Sequence, residues 1–184
     1  EHHIHPFLSA LTMNAEIIAI EEWDLPNNQS KAYRNRSSYM AQLSKIEKSM
    51  TDSSPLVTWG FHHYFHGELT REDLDKISEE RPILVMHRSY HEFILNTAAL
   101  KYFEITQEFI DSLDEEARAY ADFARGHFSE QGMISVFPKL LTFLGKPEYL
   151  LSGLQLTEKY LHQNGVTMIA NPGAWLIESI QKAT

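Results

Sequence analysis

A chain of 184 residues that is 43% hydrophobic and 22% charged is long enough for one domain with a buried core, and its composition is that of an ordinary globular protein. With 16 Lys and Arg against 25 Asp and Glu the net charge is −9, and only Lys31, Arg34 and Arg36 lie close together, which argues against a nucleic-acid partner. No apolar run reaches the roughly 18 residues of a membrane span, and the lack of cysteine excludes disulfides, thiolate metal sites and a Cys nucleophile.

Any metal must therefore be held by His, Asp, Glu or a modified Lys. The N-terminus is acidic and histidine-rich, without the basic and then apolar stretch of a signal peptide, so a cytoplasmic location is expected. Because the chain starts at Glu1 and not at Met, an excised segment or a processed product is expected.

Glu1-His2-His3-Ile4-His5 reads as the end of a short strand, closed by Pro6, which cannot continue a hydrogen-bond ladder. The apolar spacing over 7–13 suits a brief helix, 15–23 is open between strand and loop, and 25–30 (LPNNQS) reads as loop. A helix is predicted over about 31–50, with Tyr39, Leu43 and Ile46 as its apolar stripe. Residues 55–61 read as a strand, and Thr70 as the N-cap of a helix to about Glu80, with Asp73 standing in for the usual Glu of a capping box. The continuous apolar run 82–86 reads as a strand buried on both faces of a parallel sheet.

Helices are then predicted at about 92–103, 106–112, 114–127, 135–144 and 146–163, the last stopped by Asn164-Gly165. Residues 166–170 read as another buried strand, and Pro172-Gly173 leads into a final helix. Strands alternating with helices give an α/β class. About three or four strands are too few to close an eight-stranded barrel of about 250 residues.

His3 and His5 are the sharpest chemical signal. Side chains two apart on a strand share a face, with Cα atoms about 6.6 Å apart, so two imidazoles can grip one ion at about 2.0–2.1 Å from each nitrogen. The alternatives are a chance pair or the remnant of a tag, although a tag would not be interrupted by Ile and then run into Pro-Phe-Leu. His62, His63 and His66 surround Tyr64 and Phe65. They read as a partly exposed loop, the alternative being a pocket wall or adventitious metal binding. Arg88 could hold a substrate carboxylate or pair with an acid such as Glu92. His127 and His162 read as helix-end residues, and Trp23, Trp59 and Trp175 as core or pocket wall.

The segment Glu1-His2-His3-Ile4-His5-Pro6 resembles the Asp-x-His-x-His motif that ends the first barrel strand of the amidohydrolase superfamily of metal-dependent hydrolases. Residues 81–100, running from Arg81-Pro82 through His91 and Asn96 to Ala99-Leu100, resemble a second signature. It belongs to the branch related to N-substituted formamide deformylases. Thr70-Arg71 with Leu74-Asp75, and Asn164-Gly165-Val166-Thr167, are similar to that branch as well. Glu1 stands where the family has Asp, and His2 where Gly is common. Trp59-Gly60-Phe61-His62-His63 stands where an aromatic-glycine run is followed by an acid.

The resemblance implies a partial (β/α)8 barrel segment. Residues 1–5 would end the first barrel strand, 6–164 would form a helix-rich α/β insertion, and 165–184 the second barrel strand and its helix. It implies His3 and His5 as metal ligands, with His91 and Asn96 as substrate-binding residues. The cofactor would be a divalent metal, most often zinc, and the reaction the hydrolysis of an amide or related C–N bond of a small molecule by metal-activated water. The remaining ligands (a carboxylate or carboxylated lysine, two more histidines and an aspartate base) are expected outside this chain, which by itself is expected to be inactive. Exposed barrel surface would favour self-association. Two other readings stand beside this one, a standalone α/β binding or interaction domain and a small hydrolase assembled from several copies.

Overall fold

The computed structural model describes residues 3–171. Pro6 opens helix α1 (Pro6–Asn14), where its missing N–H would have no partner anyway and its fixed φ suits the first turn. Strand β1 (Glu16–Ile17) follows, and β2 (Trp23–Leu25) pairs antiparallel with β3 (Asn28–Ser30). The 25–30 stretch is thus not plain loop. Its turn residues are confined to Pro26-Asn27, and the residues on either side pair. Helix α2 (Arg36–Ser49) starts at Arg36 and not at Lys31, because Asn35 is extended and its side chain accepts the Ser38 N–H as an N-cap.

The two apolar runs, β4 (Leu56–Phe61) and β5 (Ile83–His87), pair in parallel, and every residue of both is buried. Between them lie α3 (His63–His66) and α4 (Arg71–Asp75). Helix α4 opens on a complete capping box, Thr70 and Asp73 each bonding the other's backbone N–H, so Asp fills the role of the usual Glu.

Then come β6 (Glu92–Leu95), α5 (Thr97–Tyr102), α6 (Gln107–Asp111), α7 (Glu115–Ala119), β7 (Ala121–Asp122), β8 (His127–Ser129), α8 (Glu130–Leu144) and α9 (Pro147–Gln163). Two predicted helices are corrected here. Glu92-Phe93-Ile94-Leu95 is a strand: an apolar run this short has no decisive periodicity, and antiparallel pairing with β5 settles it. The predicted helix over 114–127 stops at Ala119, and β7 then turns back into β8. Gly126, at φ 63°, makes this reversal where a Cβ would strike the Leu95 carbonyl oxygen.

The main sheet has the order β1-β4-β5-β6-β8-β7, with β1, β4 and β5 parallel and the other pairings antiparallel. The strands that the sequence reading missed are two to four residues long, too short for an alternating pattern to show.

Side-chain alternation splits the core. Leu84, Met86, Phe93, Leu95 and Phe128 face α1 and α8. Ile83, Val85 and Ile94 face Tyr39, Leu43 and Ile46 of α2 and Leu74 of α4. Beyond α9, residues 167–170 are exposed and belong to no ladder among the described residues, so the buried strand predicted over 166–170 is not formed. The Ile4 N–H nevertheless donates to the Ala170 carbonyl at 3.0 Å, which sets the His3–His5 segment beside this stretch. The final helix predicted after Pro172-Gly173 lies outside the described residues.

Helices α1 and α9 meet at Gly153, where a Cβ would collide with the Ala10 carbonyl. On an exposed helix, Gly→Ala would gain about 1 kcal/mol. Here overpacking against backbone reverses the sign, and Gly153→Ala is expected to destabilise the fold by about 1–3 kcal/mol. The check is urea unfolding followed by circular dichroism, in which the midpoint should fall while the slope holds.

Candidate metal centre and histidine cluster

The structure brings His3 and His5 together. His5 is extended (φ −110°, ψ 91°) and caps α1, and its ring meets that of His3 edge to face, centroids 5.0 Å apart at 85°. The two Nε2 atoms are 3.1 Å apart. Two nitrogens at about 2.0–2.1 Å from one tetrahedral ion would stand about 3.3 Å apart. Two imidazole nitrogens thus already converge at nearly the separation one ion requires, and they are borderline donors that suit a transition metal better than calcium or magnesium.

His91 lies on the loop between β5 and β6, its side chain 62% exposed. Its Nδ1 faces the Glu130 carboxylate at 3.1 Å, and its carbonyl accepts the Glu130 N–H. The neighbouring Tyr90 ties this loop to α1: its hydroxyl donates to the Leu8 carbonyl at 2.9 Å and also hydrogen-bonds the Thr12 hydroxyl. The His91 loop is therefore anchored one turn beyond His5.

Asn96 is placed elsewhere. It is fully buried, and its side chain is committed to backbone: Oδ1 accepts the Ile83 and Ala99 N–H groups, and the amide donates to the Ser78 and Arg81 carbonyls. It caps α5 and locks the ends of β5 and β6, with no polar capacity left for a substrate. Arg88 pairs with Glu21 at 2.7 Å, not with Glu92.

Glu92 instead gathers histidines. Along β6, Glu92 and Ile94 share a face, and His127 sits opposite Ile94 in register, so alternation turns His127 to the same side. His63, at the start of α3, reaches in from beyond the end of β4. Glu92 Oε2 lies 2.6 Å from His63 Nε2 and 2.7 Å from His127 Nε2. These hydrogen bonds, from His127 and then His63, hold the Glu92 carboxyl well below the usual carboxylate range despite burial. The bond to Glu92 in turn raises the His63 imidazole against the effect of burial.

His87 stacks on His63 (5.4 Å, 25°). Burial pushes it down to about 4, and its Nδ1 accepts the Ser89 N–H at 3.1 Å, so it is a neutral ring. His66 is a core residue: its Nε2 bonds the Tyr33 carbonyl at 2.7 Å and its Nδ1 accepts the His62 N–H. Of the 62–66 cluster, then, His63 alone joins Glu92. His127 was passed over as a helix-end residue, and its partnership had no sequence signal, because it depends on two short strands pairing across the sheet.

No family model and no curated protein matches the sequence. Two solved structures do resemble this fold. An uncharacterized metal-dependent hydrolase from Pyrococcus horikoshii OT3 matches with a TM-score of 0.62 at 13% identity, over 92% of this chain and 29% of that one. Another, from Pyrococcus furiosus, matches with a TM-score of 0.57 at 14% identity, over 92% and 30%. The likeness is one of fold, shared with part of each of those two proteins. The chain spans under a third of their length. Among its described residues no helix is long and apolar enough to cross a membrane.

Truncating Asn96 leaves the Ile83 N–H and two carbonyls without partners in the core and uncaps α5. Asn96→Ala is expected to cost about 3 kcal/mol or more, read as a fall in the urea midpoint. A loss below about 0.5 kcal/mol would show that these bonds are readily replaced.

Proposed function

We propose that this chain is part of a metal-dependent hydrolase of the amidohydrolase type, in which His3 and His5 supply two ligands to a divalent metal, zinc being the first choice. The observation that carries the reading is the 3.1 Å approach of the two Nε2 atoms at the edge of a hydrolase-type fold. The Ile4–Ala170 hydrogen bond sets the His3–His5 segment beside residues 167–170, which supports reading 6–164 as an excursion that leaves and returns to one place.

When bound, such an ion lowers the pKa of a water ligand and polarises a carbonyl. The chain's own residues hold and orient. Pro6 fixes the exit from the His3–His5 segment, Tyr90 clamps the 88–91 loop onto α1, and Glu130 fixes Nδ1 of His91 so that its Nε2 is left for a polar group of the substrate. The substrate on this reading is a small molecule with an amide or related C–N bond, the N-substituted formamides being the class that the sequence around His91 resembles. The base and the remaining ligands would come from the rest of the enzyme.

The test is zinc affinity by competition with a chromogenic chelator, measured in a Glu92→Gln background so that the Glu92 cluster does not contribute. His3→Ala and His5→Ala are each expected to weaken binding at least about tenfold; unchanged affinity in both variants would remove the chemical basis of the assignment. The 184-residue chain with added zinc is expected to show no turnover of N-substituted formamides, because two imidazoles alone hold the ion weakly and the base is expected from the rest of the enzyme. Zinc-dependent turnover by this chain would refute the reading that the base lies elsewhere.

A further inference from the structure

We propose that His63, Glu92 and His127 form a second cation site, separate from His3 and His5, that takes a divalent ion of the zinc class. The three donors come from α3, β6 and β8, and one ligand atom of each lies within 4.8 Å of the others. Two imidazole nitrogens and one carboxylate oxygen form a borderline donor set. It favours zinc and its transition-metal neighbours over calcium and magnesium, which seek oxygen alone.

The spacing fits a site closed by hydrogen bonds in place of a metal. Glu92 Oε2 stands 2.6 and 2.7 Å from the two Nε2 atoms. An ion at about 2.0–2.1 Å from each atom would need them about 3.3 Å apart, an opening of about 0.6–0.7 Å from the 2.6 and 2.7 Å contacts, within the reach of side-chain rotation. Each imidazole would bind through Nε2, its proton moving to Nδ1, while Glu92 would exchange two N–H donors for the cation.

Exposure suits an open fourth position. The side chains of His63, Glu92 and His127 are 30%, 19% and 24% exposed, so the ligands are shielded but water can reach the ion. The wall is compatible too, because the ring stacked on His63 is the neutral His87 and not a second cation. Glu92 is 29 residues from His63 and 35 from His127, so the ion would tie three remote segments together beside the carboxyl ends of β4 and β5.

The proposal stands without the His3–His5 reading, and the experiment keeps them apart. In a His3→Ala/His5→Ala background, zinc titration of the 184-residue chain is expected to show one ion per chain and a rise in Tm on saturation. Cobalt in place of zinc is expected to give the visible absorption of a four-coordinate ion. Glu92→Gln keeps the hydrogen-bonding shape and is expected to weaken zinc at least about tenfold, as is His127→Ala. His162→Ala, at the end of α9, should change nothing. Circular dichroism establishes that each variant is folded, and His127→Ala decides if Glu92→Gln is not. No binding in the double-alanine background at zinc concentrations on the order of 1 mM, about the limit of a weak site, would overturn the proposal. Affinity that ignores both Glu92 and His127 would overturn it equally.

Discussion

The return of β6 against β5 is the constraint on which the rest of this structure depends. Ile83–His87 is apolar throughout and buried, and it has β4 on one side. Glu92–Leu95 folds back on its other side, and both ends of that hairpin are fastened by polar groups. At the base, Asn96 spends its whole side chain on the backbone around Ser78, Arg81, Ile83 and Ala99. At the tip, Tyr90 adopts φ 61°, a conformation uncommon for a bulky residue, and its hydroxyl is secured by Leu8 and Thr12. A strained turn of this kind persists only when its surroundings over-determine it, and here α1 does so.

That hairpin decides where the chemistry can be. It sets His91 outward toward Glu130, on a loop clamped to the helix that follows His5. It sets Glu92 inward, on the face shared by His127. Consecutive residues thus serve two different constellations, His91 from the loop and Glu92 from the strand face that His127 shares. A helix over 92–103, as the sequence suggested, would have put Glu92 and Asn96 one turn apart on the same face. It would have dissolved both the cluster and the cap.

The parts legible in the sequence were those with strong, local physics. The runs at 56–61 and 83–87 are long and apolar enough to be strands by composition, and Thr70 with Asp73 forms a capping box from its own four residues. The closeness of His3 and His5 was legible from their spacing of two, although the described residues 3–5 form no strand. What could not be read depends on contacts between remote segments. The strands at 92–95, 121–122 and 127–129 have too few residues to carry a pattern, and they exist because β5 offers an edge to build on. Nothing local linked His127 to Glu92, while Asn96, read in the sequence as part of a family resemblance, has its side-chain bonding inside the fold. A motif marks that a residue is needed at a position, and burial then says whether it is needed for structure or for a ligand.

The histidine cluster also shows why a metal site can sit in a fold without being required for it. In a small zinc-dependent domain the ligands have no other partners, and the chain unfolds without the ion. Here Glu92 is satisfied by two N–H donors, and the sheet beneath it is covered by Phe61, Val85 and Ile94. Without a cation, Glu92 Oε2 is held by both histidines, although the Nδ1 of His63 is buried with no hydrogen-bond partner. An ion replaces those hydrogen bonds and does not create the geometry, so its binding energy adds to a structure that already stands. The His3–His5 pair differs in this respect. It lies beside the exposed stretch 167–170 and outside the main sheet, so its geometry is set by two residues of one short segment and not by strand pairing. The sheet preorganises the cluster, and metal titration of the two sites measures what that preorganisation adds.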